Sequence, residues 1–210
     1  MRIATDLDAL RSRLPDTAWP VVVQWLREEP VHVRVSRPRR TKLGDYRSAL
    51  GSGQHRISVN GDLNPYSFLV TLIHEFAHHE AFLKHQRSAA PHGPEWKSEY
   101  QRLMRPFLSP VVLPNDVLLA LERHMRRPPA SSCADQVLAR ALMRYDADQG
   151  TRLEQLRESA IFKFHARLFV KGPRLRKRFR CRCLNDNRIY LIDPLVEVST
   201  TSAIPLALAS

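Results

Sequence analysis

The sequence predicts an α+β chain: a helical domain built on a small three-stranded antiparallel sheet, followed by a small, basic, β-rich C-terminal region. Three observations predict it. Tyr66 to Lys84 runs without Gly or Pro, and Phe68, Leu69, Leu72, Ile73, Phe76 and Ala77 recur at helical spacing, which marks a long, largely buried helix. Upstream, Val31, Val33 and Val35 alternate with His32, Arg34 and Ser36, the period of a half-buried strand. Beyond Gly150 the pattern changes to short alternating segments.

Residues 1–29 read as two helices broken near Pro15, with Val21, Val22, Trp25 and Leu26 facing inward and Pro30 ending the pattern. Strands near Leu43 to Ala49 and Arg56 to Asn60, joined across Gly51-Ser52-Gly53, complete a three-stranded, largely antiparallel sheet against the long helix. Asn64 is suited to cap that helix and Pro65 to open it, where a missing N–H costs nothing. A helix from Pro94 to Met104 carries Trp96, Tyr100 and Leu103 at core-packing spacing, and another spans Asn115 to Met125. Arg126 to Ser132 is a linker by composition, and Ser132 can cap a further helix reaching about Tyr145. Strands follow near Ile161 to Phe164, Leu168 to Lys171, Arg178 to Leu184 and Arg188 to Ile192. The division expected is therefore 1–29, 30–125, 126–158 and 159–198, with 199–210 a disordered tail.

The chain has 210 residues, 43% of them hydrophobic, enough for a substantial core. Asp6 and Asp8 stand where a secretory signal would need an apolar run, and no apolar stretch approaches the length of a membrane span. Three cysteines, Cys133, Cys181 and Cys183, then read as reduced thiols of a cytoplasmic protein. No second pair accompanies Cys181 and Cys183, so a four-ligand structural zinc is not expected there.

The long helix contains His74-Glu75-Phe76-Ala77-His78. Residues four apart lie one turn apart on one face, so His74 and His78 can share a metal ion while Glu75 sits beside it. That is the arrangement of a zinc-dependent hydrolase, in which three protein ligands leave one position open. For the third ligand, a histidine ten residues after the first is excluded because Lys84 stands there, with Ala81 where a glycine is needed. Glu95 or Glu99 on the next helix is possible. His92 is better placed, because Gly93-Pro94 can turn it back over the first helix; Glu99 is the runner-up. His79 points about 100° away from the ligand face and is expected behind the site or at the surface. His32, His55, His85, His124 and His165 have no partner at ligand spacing and read as surface or packing residues.

Leu43-Gly44-Asp45-Tyr46-Arg47, His55-Arg56-Ile57-Ser58-Val59-Asn60, the His74-Glu75-x-x-His78 motif and His92-Gly93-Pro94-Glu95-Trp96-Lys97 together resemble the SprT-like metalloprotease family, over about residues 30 to 108. The resemblance implies a zincin-like domain with His74, His78 and His92 on Zn2+ and Glu75 as catalytic acid and base. It also implies a zinc endopeptidase acting on protein substrates that are DNA-associated or crosslinked to DNA. Residues 109 to 198 resemble the tail of bacterial members of the family. The alternative is a nucleic-acid-binding factor whose zinc is only structural. Glu75 discriminates, because a structural site has no use for a carboxylate beside the metal.

The formal charge of +12 is uneven. Lys163 to Arg182 holds nine Lys or Arg and no acid, and Val31 to Gly44 holds Arg34, Arg37, Arg39, Arg40 and Lys42, also without an acid. Such density favours a polyanion, and DNA is the expected partner, with Arg174, Arg176, Lys177, Arg178 and Arg180 the candidate contacts. Phe164, Phe169, Phe179 and Tyr190 lie among these cations, where some could stack on unpaired bases. The alternative is that the rings form the core of the small sheet and the arginines solvate its outer face.

Overall fold

A computed structural model describes residues 6–29, 31–39, 41–49, 53–129 and 135–200. The chain divides after Ala147 into two compact units, Met1–Ala147 and Asp148–Ser210.

In the first unit, α1 (Leu7–Arg11) is capped by Asp6, whose carboxylate accepts from the Ala9 amide at 3.0 Å. A single 3₁₀ turn, Asp16–Ala18, follows Pro15 and leads into α2 (Trp19–Glu28), so the break falls where proline forces it. The strands are β1 (Val31–Ser36), β2 (Gly44–Arg47) and β3 (His55–Asn60). Their order is β1-β3-β2, with β1 parallel to β3 and β2 antiparallel to it, so the sheet is mixed and not largely antiparallel. Alternating side chains tell which face is buried but not which strand is the neighbour. The segment from β1 to β2 passes the end of β3 and is fastened there. Arg39 donates to Asn60 Oδ1 at 2.8 Å and to Ser58 Oγ at 3.0 Å, and the buried Asn60 amide donates to the Arg39 and Lys42 carbonyls, both at 3.1 Å.

The centre of this unit is α3 (Pro65–His85). Asn64 caps it by accepting from the Tyr66 and Ser67 amides, at 3.1 and 2.9 Å, and Pro65 opens it. Phe68, Leu69, Leu72, Ile73, Phe76 and Ala77 are buried in one core with Val33, Ile57 and Val59 of the sheet. Each large apolar side chain so covered contributes about 1.5–3 kcal/mol. α4 (Pro94–Met104) adds Trp96, Tyr100 and Leu103, and α5 (Asn115–Arg126) adds Val117 and Leu121. Charged groups also clamp α3 to α4: Lys84 lies 2.7 Å from Glu99, and Arg102 reaches Glu99 at 2.7 Å and Glu80 at 2.6 Å. α6 (Gln136–Met143) buries Leu138 and Leu142 and is capped by Asp135, which accepts from the Val137 and Leu138 amides. The cap expected at Ser132 lies outside the described residues; Asp135 is the side chain that does the capping.

The second unit is an antiparallel five-stranded sheet, ordered β7-β6-β5-β4-β8, from β4 (Ile161–Phe164), β5 (Arg167–Leu175), β6 (Arg178–Cys183), β7 (Ile189–Ile192) and β8 (Ser199–Thr200). Its core is Leu153, Phe162, Phe169, Phe179, Cys181, Cys183, Ile192 and Val198. Ser199 and Thr200, expected in a disordered tail, pair instead with Lys163 and Phe162. Two exposed polar residues suffice at an edge because backbone hydrogen bonds carry the pairing. The rest of the expected tail lies outside the described residues. None of the described helices is long and apolar enough to cross a membrane.

Candidate metal centre

One face of α3 presents His74 and His78. The chain then turns at Ala90–Gly93, where the Gly93 amide donates to the Ala90 carbonyl at 2.9 Å and His92 adopts the left-handed region with φ 59°. A non-glycine residue pays about 1–2 kcal/mol for that conformation, so the surrounding packing must hold it. The result is a triangle of imidazole nitrogens: His92 Nε2 lies 3.1 Å from His78 Nε2 and 3.2 Å from His74 Nε2, and the α3 pair is 3.3 Å apart. Three nitrogens at tetrahedral angles, about 2.0–2.1 Å from a zinc ion, stand about 3.3–3.4 Å from one another, so the donor set fits zinc. Among the described residues these three form the group able to hold a metal.

The rings are also in the right protonation state. Burial, reinforced by the neighbouring imidazoles, holds His74 down to about 3 and His78 to about 4, and burial lowers His92 as well. Neutral imidazole is the form that ligates a metal. Trp96 underlies all three, with ring centroids 4.7 Å from His74 and His92 and 5.4 Å from His78, and its Nε1 donates to the His74 carbonyl at 3.3 Å. Its spacing reads as core packing, and core it is; what it packs against is the metal centre.

Glu75 is buried between α3 and β2. A Cβ on Gly44 would fall on Glu75 Oε1 and come within 2.7 Å of Glu75 Cγ and 2.8 Å of Thr71 Cγ2, so glycine is what lets β2 approach. The Tyr46 backbone is hydrogen-bonded to the Glu75 carboxylate. Burial, with Asp45 adding to it, pushes the Glu75 carboxyl up to about 8 against the opposing pull of Arg39, the Tyr46 backbone and Lys42. A divalent cation among the imidazoles would draw it back toward the ionised form.

Tyr46 was legible in the sequence as a strand residue and as part of the Leu43–Arg47 run that resembles the SprT-like family, without a role at the site. Its ring lies parallel to that of His78, centroids 6.5 Å apart, and its hydroxyl is 2.8 Å from His55 Nδ1. His79 is wholly buried behind it, 4.8 Å from the His55 ring, and burial holds it neutral to about 4. His55 and His79 thus back the site without entering it. Glu99, the alternative third ligand, is engaged with Lys84 and Arg102, which hold its carboxyl below the usual range although burial raises it. His124 is buried with Nδ1 3.2 Å from Asp135. A rule based on spacing misses Gly44 and Tyr46 because they come from a strand distant in sequence; the glycine inside an alternating strand was the available signal.

In the second unit, Arg174, Arg176, Lys177, Arg178 and Arg180 are all exposed around the β5–β6 hairpin. Phe169 and Phe179 are buried, and Phe164 and Tyr190, half-buried, pack against them, so the interleaved rings contribute to the core of the sheet. Lys171 is buried too; its Nζ donates to the Glu154 and Leu156 carbonyls and sits 4.1 Å from the Phe179 ring centre. Cys181 and Cys183 are buried free thiols; Cys133 lies outside the described residues.

A buried helix bearing the HExxH spacing, a third histidine from the next turn and a glutamate packed against a strand together form a site at which three histidines could hold a metal ion. Residues 19–116 match the SprT-like family. No curated protein and no solved structure matches the chain.

Proposed function

We propose that the protein is a zinc-dependent endopeptidase of zincin-like organisation that acts on DNA-associated or DNA-crosslinked proteins. The observation that carries the reading is the conjunction of three convergent imidazoles with a buried carboxylate for which β2 makes room through Gly44. His74, His78 and His92 would hold zinc, which when bound would supply Lewis acidity toward the scissile carbonyl and the attacking water. Glu75 accepts the water's proton and passes it to the leaving amine. The Tyr46 backbone hydrogen bond and the close wall of Gly44 keep the carboxylate aimed. Trp96 keeps the three imidazoles in register. β2 ends the order β1-β3-β2, which leaves it an edge strand to which an extended peptide can pair. The exposed cations of the β5–β6 hairpin support DNA as the surface on which substrates are met.

Glu75→Gln tests the catalytic assignment, since it removes the proton acceptor and leaves the ligands. The expected outcome is wild-type zinc content and melting with peptide hydrolysis abolished. A variant that cleaves at near the wild-type rate would refute the role given to Glu75.

A further inference from the structure

The inner face of the three-stranded sheet packs on the core and the three-histidine site; the outer face packs on neither and acts on Glu75 only through the charges of Asp45 and Arg39. The strand register sets His32, Arg56 and Arg47 in one row across β1, β3 and β2, and Arg34, Ser58 and Asp45 in the next. Arg39 reaches over from the β1–β2 connection and is fixed by Ser58 and Asn60. Together with Ile57 these residues line a cavity of about 220 Å³.

Folding alone does not account for this arrangement. Arg47 and Arg56 are direct cross-strand partners, and like charges so placed are destabilising. The single acid in the lining, Asp45, is already paired with Lys42 at 2.8 Å and Arg47 at 2.9 Å. Arg34 and Arg56 are exposed, and among the described residues neither is in an ion pair. A merely solvated face mixes its signs. This one concentrates guanidinium groups around a concavity, with one of them held rigid in advance.

We propose that the outer face of the sheet is a docking surface for the phosphodiester backbone of duplex nucleic acid, within the SprT-like unit itself and separate from the cations of the second unit. Guanidinium is the side chain best matched to phosphate oxygens, two at a time. With strands about 4.8 Å apart, a row across three of them spans about 10 Å, wider than one phosphate group needs. No Phe, Tyr or Trp lines the cavity and the His32 ring is buried, so the contact grips backbone and does not stack on bases. The inference requires neither zinc nor hydrolysis.

The test measures binding of a short fluorescein-labelled duplex to the full chain across a salt series. R34Q/R56Q is compared with the charge-matched R123Q/R126Q, both of whose cations are exposed on α5. R34Q/R56Q is expected to weaken binding about tenfold at low salt and to reduce the log–log salt slope by roughly 1.8, the share of two neutralised phosphates. R34K/R56K is expected to keep the slope, and thermal melting verifies that each variant folds. An unchanged slope in R34Q/R56Q would overturn the proposal, and so would an equal loss in R123Q/R126Q. Displacement of the duplex by inorganic phosphate, where chloride of equal ionic strength does not displace it, would overturn it in favour of a pocket for a single phosphate.

Discussion

Replacing Gly44 with alanine tests how the catalytic carboxylate is held. The added Cβ would fall on Glu75 Oε1, 2.7 Å from Glu75 Cγ and 2.8 Å from Thr71 Cγ2. Non-bonded carbon atoms rest about 3.5–4.0 Å apart, so something must retreat by about 1 Å. Thr71 is buried one turn before Glu75 on the same helix, and β2 is paired to β3 at Gly44 opposite Val59. The flexible partner is the Glu75 side chain. A misplacement of about 1 Å at a reacting group costs on the order of 100-fold in rate. Overpacking at a buried contact costs about 1–3 kcal/mol, which lowers Tm by roughly 3 to 10 °C for a chain of this size. Zinc content should not change, because no ligand is touched. Turnover of a labelled unfolded protein, metal analysis and thermal melting together check the outcome. Wild-type turnover and melting in Gly44→Ala would refute the argument that β2 aims the carboxylate.

Two further predictions concern ligands and charge. His92→Ala should lower zinc affinity as severely as His78→Ala, whereas Glu99→Ala should keep the metal and cost no more than about 1 kcal/mol of stability, since Lys84 and Arg102 are half exposed and both still reach Glu80; competition with a chelator separates the two, and loss of zinc in Glu99→Ala would sink the three-histidine set. Replacing Arg174, Arg176, Lys177 and Arg178 with alanine should flatten the salt dependence of DNA binding by about 0.9 for each phosphate no longer neutralised, and suppress cleavage of DNA-bound protein while sparing a short free peptide. Equal loss on both substrates would count against a recruiting role for the hairpin.

What the sequence made legible was local chemistry. The Asn64 cap, Pro65 and the periodicity of Tyr66 to Lys84 all act within a few residues, and α3 begins and ends where they put it. His92 could be chosen because Gly93-Pro94 marks a sharp turn. Pairing partners are a different kind of fact. The alternation of Val31, Val33 and Val35 is the same whether β1 neighbours β2 or β3, and the parallel pairing depends on a loop fastened by Arg39 and Asn60. For His79 the sequence left two places open, behind the site or at the surface, and the structure puts it behind the site because Tyr46 and His55 from two strands cover it. In β6, by contrast, Arg178, Arg180 and Arg182 alternate with buried Phe179, Cys181 and Cys183, a strict period of two that already argued for rings inside and cations outside.

The origin of each part of the centre has a consequence for how it fails. The histidines proposed as metal ligands come from α3 and from the turn before α4, and those two helices are clamped by Lys84, Glu80, Arg102 and Glu99 and by Trp96 beneath the imidazoles. The carboxylate, although it is carried by α3, is aimed by β2 through Gly44 and Tyr46. Metal affinity and proton transfer therefore answer to different neighbours. Loosening the packing between α3 and α4 should release zinc first, and activity falls because the ion is gone. Disturbing β2 should leave zinc in place and misdirect the base. A fully loaded yet inactive protein is the signature of the second failure, and β2, like β1, lies at an edge of its sheet, where an incoming chain can pair.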